Sequence, residues 1–317
     1  MKYSGIGGQA VMEGVMMRNG DRYAVAVRKP DQTIEVAAFD YKIGGKAKVL
    51  RKLPIFRGVF SFIDSLYLGM STLMYSASFF EDEEEEKKKA DEKTLSPEEI
   101  SAQKAKAEKQ EKAMMGGTLV FSIVLALAIF FALPFFLTSF LEKWIASSFL
   151  ITLLEGILRL VIFIAYIALI SLMPDIKRTY QYHGAEHKCI NCIEHGLPLT
   201  VENVRKSSKE HKRCGTSFLI IVMLISVVFF MFIQVKSRLL KLLLRLLLIP
   251  VIAGVSYEFL RLAGRYDNAV VNLLSKPGLL MQHMTVLEPD DTMIEVGIAS
   301  VEAIFDWESW QKEAGLL

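Results

Sequence analysis

Four of the five histidines and all three cysteines of this 317-residue chain fall between His183 and Cys214. Within that stretch His183, Glu186 and His187 spell H-x-x-E-H. Residues four apart on a helix project from one face, so the two imidazoles converge on a common point. The order is that of inverted zincins, in which two histidine nitrogens hold Zn²⁺ and a more distant carboxylate completes the shell. The glutamate of the motif then takes a proton from the attacking water. Glu194, or Glu258 seventy-one residues after His187, is placed to be the third ligand. An overlapping pattern, Cys189-x2-Cys192-x18-His211-x2-Cys214, has the spacing of a Cys₃His structural zinc site. A closed four-donor shell is structural and three donors plus water are catalytic; spacing leaves both open. Each group also has a plainer role. The histidines can cap or hydrogen-bond a membrane-surface helix, the cysteines can be small buried hydrophobes, and Glu258 can pair with Arg261.

The elements that position these groups are read from hydropathy. Hydrophobic residues make up 52 % of the chain and charged ones still 23 %, so the apolar residues are segregated into blocks. A span takes about 20 apolar residues. Four stretches qualify: Gly117 to Leu141 with a kink at Pro134, Ser148 to Met173, Gly215 to Val235, and about Leu239 to Ala263. Glu155 and Arg159 stand four apart in the second and can pair there. The expected class is a mainly α membrane protein of about four transmembrane helices. A small N-terminal α+β region, an interfacial helix and a soluble C-terminal cap complete it.

Residues 1–80 divide into a β-hairpin, over Arg22–Arg28 and Thr33–Phe39, and an amphipathic interfacial helix over Leu53–Phe80. Residues 81–116 read as a charged linker or helical stalk, with Ser96, Pro97 and Glu99 as its N-terminal signal. Residues 117–263 are the four-helix region, with the His/Cys-rich loop at 174–214, and residues 264–317 are a cytoplasmic cap. The distribution of Lys and Arg puts both termini and that loop on the cytoplasmic side of the cell membrane, although Lys236, Arg238, Lys241 and Arg245 fall against this rule. A net charge of +2 with no basic stripe excludes a nucleic-acid partner. Met1 to Gly20 lacks a long apolar run, so no signal peptide is expected. Three cysteines make no disulfide framework and fit a reducing compartment. Gly5, Gly7 and Gly8 favour a tight turn or close packing over an anion-binding nest.

Gly7-Gly8-Gln9-Ala10-Val11-Met12-Glu13-Gly14-Val15-Met16-Met17-Arg18, Tyr182–Lys188, His211–Phe218 and Tyr257–Arg265 together resemble the YqhQ-like family. Its members are bacterial multi-pass membrane proteins without a settled activity, catalogued as predicted metal-dependent enzymes. The resemblance implies a site built from Glu13, Arg18, His183, Glu186, His187, Glu194, His211, Cys214, Glu258, Arg261 and Arg265. Cys189 and Cys192 are not constant in that family, which favours the histidine-centred site over the Cys₃His one. Gln282, Thr285 and Glu288 resemble the family's tail.

Two functions follow. One is a membrane-anchored zinc-dependent hydrolase, with Glu186 catalytic and a divalent metal on His183, His187 and His211, Cys214 or Glu258. The other is a non-enzymatic scaffold or assembly factor, whose metal only fixes the 174–214 segment. A transporter rests on Glu155 and Arg159 alone. The lipid bilayer is the expected partner, and a protein partner or a second copy of the chain stays open.

Overall fold

Tight turns set the N-terminal sheet. In a computed structural model of the chain, β1 (Gly7–Val11), β2 (Gly14–Asn19), β3 (Arg22–Arg28) and β4 (Ile34–Asp40) form an antiparallel meander in the order β1-β2-β3-β4. Val11 pairs with Gly14 and Asn19 with Arg22, so two residues turn each of the first two corners. Glu13 and Gly20 supply the left-handed backbone these turns need, at φ 48° and 60°. The expected hairpin is β3 and β4. The sheet continues beyond it because β1 and β2, rich in glycine and methionine, pair without a β-branched signature. The structure describes residues 2–41, 52–80, 110, 113–114, 116–233, 235, 237–266 and 268–316. The stalk over 81–116 and its N-terminal signal at Ser96 lie almost wholly outside the described residues, as does Lys236.

The chain forms two compact units, residues 1–79 with 163–317, and residues 80–162. In the first, alternation along the strands sends Val15, Met17, Ala24 and Ala26 to one face of the sheet. There they pack against α4 (Pro174–Glu194) and α9 (Asp291–Glu302) through Tyr182, Ala185, Ile190, Ile193, Met293, Ile294 and Val296. The other face meets α1 (Phe56–Ala77), where the Gln9 amide donates to the Ser65 carbonyl and Met12 N–H to Ser76 Oγ. The inward face of α1 is mostly small or polar, with Gly58, Asp64, Leu68, Thr72 and Ser76 buried. Phe56, Ile63 and Tyr67 are 52, 52 and 60 % exposed. Such an inverted distribution fits a helix bathed in an apolar medium.

The segment expected as a loop at 174–214 is mostly helical: α4 fills 174–194 and α5 (Val201–Lys206) follows. From Gly184 to Glu194 every residue of α4 is buried, so its polar side chains meet protein partners and not water. α6 (Gly215–Met231), α7 (Arg238–Arg265) and α8 (Ala269–Thr285) complete the framework, and α10 (Trp307–Glu313) ends it. α1 crosses α7 where a Cβ on Gly58 would meet Gly254 Cα at 3.0 Å, so the two backbones touch.

In the second unit lie α2 (Gly116–Lys143) and about the first four turns of α3 (Ser148–Ile170). Ahead of Pro134, α2 widens into a π turn over Ala128–Ala132, which accommodates the missing proline N–H. Glu155 and Arg159 pair at 2.7 Å, both nearly inaccessible, with the guanidinium over the Phe131 ring. Among the described residues α2, α3 and α7 are long and apolar enough to cross a membrane. α6 is apolar throughout but has 17 residues, about 25 Å of helix against about 30 Å of hydrocarbon.

Candidate metal centre

On α4 the side chains of His183, Glu186 and His187 share a face, as their i, i+3, i+4 spacing dictates. Both imidazoles are fixed from behind. His183 Nδ1 lies 3.0 Å from the Thr285 carbonyl at the end of α8, and His187 Nδ1 2.6 Å from the Lys209 carbonyl. A carbonyl only accepts, so each Nδ1 carries the proton and each Nε2 is turned forward. In front of them stands Cys214, the N-cap residue of α6, with Sγ 3.2 Å from His183 Nε2. One donor atom from each of His183, His187 and Cys214 lies within 4.8 Å of the others. Zinc bonds of about 2.0–2.3 Å set tetrahedral donors about 3.5 Å apart, so this set fits the ion after small adjustments. The paired Nδ1–carbonyl bonds are the outer-shell contacts that metal-binding histidines make.

Electrostatics agree with the geometry. Burial alone would depress the His183 imidazole, but the Cys214 thiolate and Glu186 reverse this and bring it to about 9. Burial would raise the Cys214 thiol, and the two histidines instead hold it well below the usual thiol range. Thiolate and imidazolium thus stand together where a cation would take the proton's place. Glu186 is pushed up by burial against the pull of His187 and His183. Its Oε1 accepts the Gly8 N–H at 3.0 Å, and Oε2 lies 3.8 Å from His183 Nε2. Gly8 has to be glycine there: a Cβ would stand 2.4 Å from the Met16 carbonyl and 3.0 Å from Glu186 Cγ.

A second layer holds this one in place. Gln282 of α8 accepts the His211 N–H and donates to its carbonyl and to Ser217 Oγ. The His211 ring is 5.5 Å from that of His187, and its Nε2 accepts from Arg213 at 3.1 Å. Burial drives it down to about 4, so it stays neutral. Glu194, wholly buried, accepts from Ser4 N–H, Ser4 Oγ and Arg213. Burial would raise it, yet His211 and Arg213 outweigh this and set it at about 2.

The remaining residues singled out by spacing or resemblance go elsewhere. Cys189 and Cys192 point into the sheet–α4–α9 core, away from the histidines, so the Cys₃His spacing does not converge. Burial pushes the Cys189 thiol well up. Glu258 is gripped by Arg57 of α1, which sequence reasoning missed, and receives the Ile55 N–H. The seventy-one-residue spacing carried no information on where α7 crosses α1. Glu13 binds Arg178 and the Tyr182 hydroxyl, tying the first turn of the sheet to α4. Arg18, Arg261 and Arg265 line a cavity of about 660 Å³ that opens in front of His183, Glu186, His187 and Cys214. The carbonyls of Thr285 and Lys209 and the N–H of Gly8 left no trace in residue type. Gln282 and Thr285 were visible only through the family resemblance.

Fold and site together define a mainly helical protein with membrane-length apolar helices and a largely buried cluster of two histidines and a cysteine. The chain belongs to the YqhQ-like family: the family model described as "Protein of unknown function (DUF1385)" matches residues 53–307. It is 32 % identical over 308 residues to "Uncharacterized protein YqhQ" of Bacillus subtilis (strain 168), covering 97 % of this chain and 94 % of that protein. No solved structure matches.

Proposed function

We propose that the protein is a metal-dependent hydrolase of the cell membrane, with Zn²⁺ held by His183, His187 and Cys214. α2, α3, α6 and α7 are then its four spans, with both termini and the centre at the cytoplasmic face. The observation that carries the reading is the pair of Nδ1–carbonyl bonds, which turn both Nε2 atoms toward one thiolate. Bound there, zinc supplies Lewis-acid polarisation and a nucleophilic water at neutral pH. Glu186 is the proton acceptor. Gly8 fixes one of its oxygens and leaves the other on the cavity side, where it receives the proton of water and returns it to the leaving group. Glu194, Arg213 and Gln282 hold the 207–217 segment that delivers Cys214.

Protein purified in detergent is expected to hold close to one zinc per chain by elemental analysis. His183→Ala with His187→Ala holds none, and Glu186→Gln keeps the metal while failing to support the wild-type protein's role in cells. Retained cellular function in Glu186→Gln would remove the catalytic assignment and favour a scaffold. A second reading, Cys214 as nucleophile with His183 as its base, draws on their 3.2 Å contact. It requires metal-free protein whose Cys214 is alkylated rapidly at neutral pH, and rates that collapse in His183→Ala.

A further inference from the structure

The cavity in front of the histidines lies within the unit formed by residues 1–79 and 163–317, and five arginines line it: Arg18, Arg57, Arg213, Arg261 and Arg265. Two are spoken for, Arg57 by Glu258 and Arg213 by Glu194. Among the described residues Arg18 donates only to the Gly20 carbonyl, stacks on Tyr41 and pairs with no carboxylate. Arg261 and Arg265 make no hydrogen bond or ion pair among the described residues, although Arg261 is near enough to Glu258 to act on it. Asp64 and Glu186 are the carboxylates on the cavity wall; the first accepts from the Tyr41 hydroxyl and the second from Gly8.

Cations at a helix C-terminus are ordinary, because they offset the helix dipole. Arg261 and Arg265 go further. They stand a turn apart on one face of α7, where like charges repel. They share a concave wall with the Arg18 guanidinium, from the sheet, which pairs with no carboxylate among the described residues. Like charges gathered on one concave wall repel, an anion there relieves the repulsion, and the planar guanidinium fork matches phosphate oxygens in pairs. The place is informative as well. Cys214 and Gly215 at the start of α6, and Arg261 and Arg265 at the end of α7, put the cavity where two apolar helices terminate. One of its walls is α1, which also exposes Ile63 and Tyr67.

We propose that this cavity binds a phosphate-bearing ligand, with Arg18, Arg261 and Arg265 as the residues that recognise the phosphate. This deepens the hydrolase reading by naming its substrate class, and rests on that reading only for what becomes of the ligand. The phosphate group has two possible carriers, a lipid headgroup at the bilayer surface or a soluble phosphate ester.

The test uses full-length protein in a neutral detergent, with binding followed by calorimetry. The probes are inorganic phosphate, glycerol phosphate and short-chain phosphatidylglycerol, with glycerol as the uncharged control. Wild type is expected to bind at least one of the three phosphates and not glycerol. Arg261→Ala with Arg265→Ala is expected to weaken that binding about tenfold or more, with Lys at both positions recovering part of it. Arg18→Ala is expected to weaken it too. Arg205→Ala, whose salt bridge to Asp291 lies outside the cavity, changes nothing. Binding of glycerol phosphate identifies a soluble ester; binding of phosphatidylglycerol alone identifies the lipid. His183→Ala with His187→Ala keeps the arginine-dependent binding, so loss of the metal assignment leaves this one standing. The inference is overturned if none of the three phosphates binds, or if folded, monodisperse Arg261/Arg265 variants bind as wild type does.

Discussion

Helix α4 has two faces made partly of the same residue types, and they do opposite things. One face carries His183, Glu186, His187 and, two turns on, Glu194. It looks onto the cavity or the layer behind it, and its polar groups are held by Gly8, Thr285, Lys209 and Ser4. The other carries Tyr182, Ala185, Cys189, Cys192 and Ile193, and is sealed against the sheet and α9. The contrast is sharpest in the cysteines. Burial drives the Cys189 thiol well up, whereas Cys214, brought from the start of α6 to the histidine face, is held well down. A cysteine's reactivity follows from its neighbours, not from its distance in sequence to a histidine.

The largest expected effect breaks this contrast directly. Cys214→Ala should weaken zinc binding by more than the 10–100-fold that a change in the supporting shell brings. Cys189→Ala with Cys192→Ala should leave the affinity within about twofold, because neither sulfur joins the donor group. Competition with a chromogenic chelator measures both. Equal losses in the two variants would mean that the faces of α4 are not separate in the way described.

A smaller effect separates the faces by pH. The Glu194 carboxylate falls from an ordinary 4.5 to about 2 in the folded protein. A depressed carboxylate contributes stability that is complete above 4.5 and drains away as pH falls toward 2. At full strength that contribution is about 3 kcal/mol at most. Glu194→Gln should therefore be less stable than wild type at pH 7, and the gap should narrow steadily as pH is lowered from 5 to 3. Thermal unfolding in detergent across that range measures it. A gap that stays constant with pH would show that the loss is one of packing alone.

How much of this was open to a reader of the sequence depends on the range of the interaction. His183, Glu186 and His187 were legible because a helical turn brings residues four apart together without help from the rest of the fold. The pairing of Glu155 with Arg159 was legible for the same reason. Runs of apolar residues announced α2, α3, α6 and α7, since a long apolar run is the signal by which such helices are read. By contrast, the choice of Cys214 over Glu258 depends on where α6 and α7 lie beside α4, and no local rule fixes that. β1 and β2 were hidden because glycine and three successive apolar residues, Val15 to Met17, blur the alternation that their ladder pairing imposes. The His183–His187 turn was read as helical, but the full length of α4 was not, because its polar face is buried against Gly8, Thr285 and Lys209 and not turned to water.

The smallest effect tests the packed face alone. Gly297 of α9 faces Cys189, and a Cβ there would stand 2.9 Å from Sγ. Gly297→Ala sets two opposed contributions against each other. Alanine gains about 1 kcal/mol over glycine inside a helix, while overpacking a filled core loses about 1–3 kcal/mol. In wild type the clash should win, and the variant should be destabilised by about 1 kcal/mol. Cys189→Ala removes the sulfur and opens the space a methyl group needs. In that background the same Gly297→Ala change should turn neutral or stabilising, giving a coupling of about 1–2 kcal/mol between residues that touch. Zinc content should be the same in all four proteins of the cycle, since nothing on this face of α4 reaches the donor atoms. If the two changes were simply additive, Cys189 would not be seated against α9, and the assignment of that cysteine to the core would have to be given up.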